Sequence, residues 1–153
     1  RIRKGATVEQ RRIAGLRARG GGMDLAVTVM LGRGGPRLSM QHAEATAQVL
    51  NQLGPRYASA LTLMLETRVP SFEEVFDDPA WRMLDPVEVL AECRTLLAHM
   101  DADGVVFRSN HASNYLALAG DLQADKERLL HEIDAVLHDP HSTNLRPDYL
   151  RGL

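Results

Sequence analysis

Apolar positions follow two patterns along this chain: short continuous runs, and longer stretches with apolar residues three or four apart. Leu25 to Leu31 is the clearest run, interrupted only by Thr28. Glycines bound it on both sides, Gly20-Gly21-Gly22 before and Gly32-Arg33-Gly34-Gly35-Pro36 after. This predicts a strand buried on both faces, as in a parallel sheet. Tyr57 to Leu65 predicts a second strand and Gly104-Val105-Val106-Phe107 a third.

The helical stretches carry their own start and stop signals. Thr7-Val8-Glu9-Gln10 is a capping box, predicting a helix to about Arg19 that the glycine triplet ends. Ser39 is the predicted cap of the next helix, with Ala43, Ala47 and Leu50 on one stripe and Gly54-Pro55 closing it. Ser71-Phe72-Glu73-Glu74 predicts a short helix ending at Pro79. Asp85-Pro86-Val87-Glu88 opens another, with Leu90, Cys93, Leu97 and Met100 on its apolar face. A last helix is predicted from about Ala124 to Leu137, burying Leu129, Leu130, Ile133, Val136 and Leu137. The order α-β-α-β-α-α-β-α implies an α/β fold of parallel (βα) repeats over residues 1–137, followed by an aperiodic tail at 138–153.

Composition narrows the function classes. The 153 residues carry a formal charge of −2, which predicts no general affinity for nucleic acid or for a membrane surface. The charge is uneven: residues 1–20 balance at +6 and the remainder at −8. Without interleaved aromatic residues, the basic first helix reads as a solvated outer helix facing an acidic partner surface. No apolar stretch is long enough to span a bilayer, and no secretory signal pattern is present. The single cysteine, Cys93, can form no internal disulfide and cannot by itself hold a cluster or a zinc ion. That fits a reducing, cytoplasmic location. The first residue is Arg1 rather than methionine, which suggests a fragment or a trimmed chain.

In parallel α/β folds ligands gather at the carboxyl ends of the strands. The three predicted strands end in Gly32-Arg33-Gly34-Gly35, Glu66-Thr67-Arg68 and Arg108-Ser109-Asn110-His111. The glycines allow close backbone approach to a flat or charged ligand, or form a plain βα turn; they match neither the phosphate-loop nor the dinucleotide spacing. Residues 108–116 are the densest hydrogen-bonding run. Arg108 suits a carboxylate or phosphate, His111 can move a proton, and Asn110 and Asn114 can orient a polar small-molecule substrate; a turn with a helix cap is the competing reading. His42, His99 and His131 read as surface helix histidines, Cys93 as core, and His138-Asp-Pro-His141 as tail without a further metal ligand.

The run Arg108-Ser-Asn-His-Ala-Ser-Asn-Tyr-Leu116, followed by Asp125-Lys126-Glu127-Arg128-Leu129-Leu130, resembles the C-terminal stretch of a group of radical S-adenosylmethionine (radical SAM) proteins. Lys4-Gly5-Ala6-Thr7, Val27-Thr28-Val29-Met30-Leu31-Gly32-Arg33-Gly34-Gly35 and His42-Ala43-x-x-Thr46-Ala47 are similar to the same group. Arg33 and Ala117 stand where that group usually has leucine and proline. The resemblance implies the C-terminal half of a partial TIM-like (βα) barrel. In such enzymes a C-x-x-x-C-x-x-C loop, absent here, holds a [4Fe–4S] cluster that binds S-adenosylmethionine. The carry-over gives Gly32, Gly34 and Gly35 a place beside the S-adenosylmethionine, and puts the 108–116 run, with Arg108, Asn110, His111 and Asn114 as its substrate-binding candidates, at the substrate end or closing the barrel mouth. It also implies that the chain needs the missing N-terminal half, or self-association, to cover the edge of its first strand. Two other readings remain open on the residues: a non-catalytic α/β module binding a ligand or partner, and an unrelated (βα) barrel enzyme using His111 as acid–base.

Overall fold

The computed structural model describes residues 5–65, 78–139 and 145–152. Helix α1 (Val8–Gly20) opens on the expected capping box, with the Thr7 and Gln10 side chains each bonded to the other's backbone N–H. It buries no residue, in keeping with a solvated basic helix. The chain then alternates through β1 (Ala26–Leu31), α2 (Gly35–Leu53), β2 (Tyr57–Thr62), α3 (Pro86–His99), β3 (Val106–Arg108), β4 (Ala119–Asp121) and α4 (Leu122–His138). A 3-10 turn at Asp148–Leu150 lies in the tail.

The strands form one sheet in the order β1-β2-β3-β4, parallel except for the β3–β4 pair. Each parallel neighbour is the next strand in the chain. With right-handed crossovers, that order puts the connecting helices on one face. The burial agrees: Leu31, Ala58, Ala60, Val105 and Phe107 join Ala43, Ala47 and Leu50 of α2, Leu90, Cys93 and Leu97 of α3, and Leu129 and Ile133 of α4 in one core. The alternate residues point the other way. Ala26, Thr28, Met30, Tyr57 and Arg108 are exposed there, and Ser59, Leu61 and Val106 are half-buried.

Several expectations are corrected. Among the described residues the first strand is covered on one face only, because α2, α3 and α4 pack on the same side. Ser39 does not cap α2; the helix starts four residues earlier, where Gly34 and Pro36 form its first turn, and Ser39 is buried inside it. The second strand ends at Thr62, short of Leu65. Strand β4 was not expected at all. It is a three-residue antiparallel edge whose Asp121 then caps α4, accepting from the N–H groups of Gln123 and Ala124. The Asp85 box stands as read. The predicted helix at Ser71–Glu74 and the Glu66-Thr67-Arg68 strand end lie outside the described residues. Among the described residues no helix is long and apolar enough to cross a membrane.

Candidate functional site

Two cavities flank the glycine loop. A cleft of about 200 Å³ lies at the carboxyl ends of β1 and β2, walled by Gly32, Leu63, Met64, Leu84, Val89 and Tyr115, with Asp148 and Arg151 at its rim. A larger groove of about 680 Å³ runs between α1, the free edge of β1 and α2. Arg11, Arg12, Arg33 and His42 line it, together with Val27, Leu38 and Val49 and, among the described residues, no carboxylate.

The three glycines do not act as one cradle. Gly32 has φ +86° and borders the cleft, while Gly34 borders the groove. Gly35 has φ +59°, and a Cβ there would meet Trp81 Cδ1 at 2.6 Å, so it is the close approach of the buried indole that needs glycine. The Gly32 backbone is engaged within the protein: its N–H donates to Glu92 Oε2 at 3.0 Å, and its carbonyl accepts the Gly35 N–H at 3.2 Å. Both its N–H and its carbonyl are thus already engaged where it borders the cleft.

Glu92 is the residue that sequence reasoning missed. It is fully buried in α3, between Val89 and Leu96 on the stripe that faces the core. Its second oxygen lies 2.7 Å from His42 Nδ1, so His42 is tied to a buried acid through one ring nitrogen and is not the surface histidine expected. A carboxylate at helical spacing within an apolar stripe was the available signal.

The run at 108–116 divides in two. Beyond Arg108, β3 stops and β2 continues, leaving β2 backbone groups without a strand partner. Ser113 and Asn114 supply the substitutes: Ser113 Oγ accepts the Thr62 N–H at 3.3 Å, and Asn114 Nδ2 donates to the Ala60 carbonyl at 2.8 Å. Asn114 Oδ1 also accepts from the Thr62 hydroxyl at 2.9 Å. Asn114 is 2% exposed, so its amide prolongs the sheet instead of facing a substrate. Arg108, Asn110 and His111 are exposed. Arg108 pairs in register with Ser59, below the ends of β1 and β2, and its guanidinium stands 5.3 Å from the Tyr57 ring. It therefore lies on the open sheet face and away from the cleft. His111 Nδ1 accepts the Ser113 N–H at 3.1 Å, and His111 lines neither cavity.

The tail, aperiodic in sequence, locks this loop. Arg146 donates to the carbonyls of His111 and Asn114, and Arg151 to that of Ser113. The Arg151 guanidinium stacks 3.7 Å from the Tyr115 ring centroid. Burial pushes the Tyr115 phenol up, with Arg151 pulling the other way.

The donor set bears on the cofactors implied by the resemblance. Cys93 is buried in the core, where desolvation, and secondarily Glu92, push its thiol up to about 12. A thiol held neutral there is no iron ligand. Among the described residues no group of three His, Cys, Asp or Glu side chains converges as a metal site. A cluster does not fit this chain's residues. S-adenosylmethionine fits only in part, because the cleft falls below the ~300–1,000 Å³ of a complete small-molecule site. Compared with protein-family models, with curated proteins and with solved structures, the chain gives no match in any of the three.

Proposed function

We propose that this chain is the C-terminal part of a radical SAM enzyme and forms one arc of its (βα) barrel. The observation that carries the reading is the sequential β1-β2-β3 order with α2, α3 and α4 on one face and the other face uncovered by the described residues. Doubly wound sheets reverse strand order and cover both faces; a barrel keeps the order and turns its second face inward. Thr28, Met30, Ser59, Leu61 and Arg108 then belong to the barrel lining. The residue resemblance at 108–116 and at the glycine loop supports the same assignment.

The cluster would be held by residues outside this chain, and with S-adenosylmethionine it would supply radical chemistry. This chain's residues do other work. Gly32, with Leu63, Met64 and Leu84, offers an apolar wall for one flat portion of the cofactor and excludes water from it. Arg108 is a cation on the open face and draws an anionic or strongly polar substrate.

Reading the coding sequence in frame upstream of Arg1 is the direct test. A cysteine triad spaced C-x-x-x-C-x-x-C is expected, and the protein it encodes, purified without oxygen and reduced, is expected to cleave S-adenosylmethionine. An upstream frame without the triad overturns the assignment and leaves the binding-module reading in its place.

A further inference from the structure

Glu92 stands between the two cavities and touches a wall of each. Through Oε2 it holds the Gly32 amide, which borders the cleft; through Oε1 it holds His42, which borders the groove. A carboxylate with no solvent exposure is costly unless each oxygen is compensated, and these two bonds are the compensation. They depend on each other. Without His42 the buried carboxylate must turn or admit water to satisfy its freed oxygen, and either change loosens its bond to the Gly32 amide, its other contact among the described residues. Gly32 is also where the loop can respond, since φ +86° is open to glycine and a Cβ would have only ordinary contact with Leu63. His42 is 30% exposed by its side chain and shares the groove with Arg11 and Arg12 of α1 and Arg33 of the glycine loop.

We propose that Glu92 is the positioning residue of the glycine loop and couples the groove to the cleft. A change at His42, on the groove side, alters how firmly Gly32 is held at the cleft wall. The inference rests on the three-residue geometry alone, so it stands or falls independently of the radical SAM assignment.

Amide hydrogen exchange and ¹H–¹⁵N shifts of this chain read the coupling directly. In His42→Ala the Gly32 amide is expected to shift and to exchange at least about tenfold faster, while the amides of Leu97 and Phe107 keep their native rates. His42→Gln, whose side-chain N–H can still donate to Glu92, is expected to recover most of the protection. In a Glu92→Leu background, where neither bond can form, adding His42→Ala is expected to have little further effect on Gly32. Two results overturn the proposal: an unchanged Gly32 amide in His42→Ala, or equal acceleration of Gly32, Leu97 and Phe107, which marks general destabilisation.

Discussion

Asn110 and Asn114 belong to one short polar run, yet the structure gives them opposite roles, and truncating each separates those roles. Asn114→Ala removes an amide that is 2% exposed and bonded twice to β2. The buried Ala60 carbonyl and Thr62 hydroxyl lose those partners. Each unsatisfied buried group costs ~1–3 kcal/mol, so the expected loss is ~2–6 kcal/mol. Against a total stability of ~5–15 kcal/mol for a single domain, that is a large share. The corresponding fall in Tm is roughly 4–24 °C for a chain of this size. Asn110 is exposed and makes no hydrogen bond among the described residues, so Asn110→Ala should stay within ~0.5 kcal/mol of the parent. Urea titration and thermal melts of the two variants are the assay. Thr62→Val adds a cross-check: its cost should be smaller in the Asn114→Ala background, where the hydroxyl has already lost its acceptor. Equal stabilities for the two asparagine variants would refute the view that Asn114 stands in for a missing strand.

Gly35→Ala should cost ~2–5 kcal/mol, combining the left-handed backbone with overlap on the Trp81 ring, whereas Gly32→Ala should cost only ~1–2 kcal/mol because its Cβ has room; denaturant midpoints compare them. Cys93 should resist thiol reagents at neutral pH in the folded protein and react at the rate of unfolding. Because its folded value is raised from 9.0 to about 12, its contribution to stability is whole below pH 9 and fades as pH climbs toward 12, which melts across that window will register. Arg151→Ala should destabilise by ~2–4 kcal/mol through loss of the Tyr115 stack and the Ser113 carbonyl bond, and limited proteolysis should then cut within the tail before the core. The exposed Asp148 partner adds little to that figure.

The elements most legible in the sequence were those set by local chemistry. Thr7 and Asp85 were identified as caps because a capping box is a contact between residues three apart. The stripes Ala43-Ala47-Leu50 and Leu90-Cys93-Leu97 were readable because helical period places them on one face. Ser39 misled for a related reason: a serine before an apolar stripe is a good cap, but Gly34-Gly35-Pro36 offered an earlier start. Strand β4 carries three residues, Ala119, Gly120 and Asp121, with no apolar alternation to announce it.

By itself the sequence determined the alternation of β1, β2 and β3 with helices, the capped starts at Thr7 and Asp85 and the apolar stripes of the helices, since each depends on neighbours within a turn or two of chain. Tertiary structure decided what those positions face. It left one side of the sheet open because the crossovers kept to one face, and it put Arg108 on that open side beside Tyr57. It joined Gly32, His42 and Glu92, residues up to sixty positions apart, through one buried carboxylate. It also turned Asn114 from a candidate ligand contact into a piece of the sheet. Partners so distant in sequence leave no periodic trace; only packing the layers together determines which polar group is left needing which other.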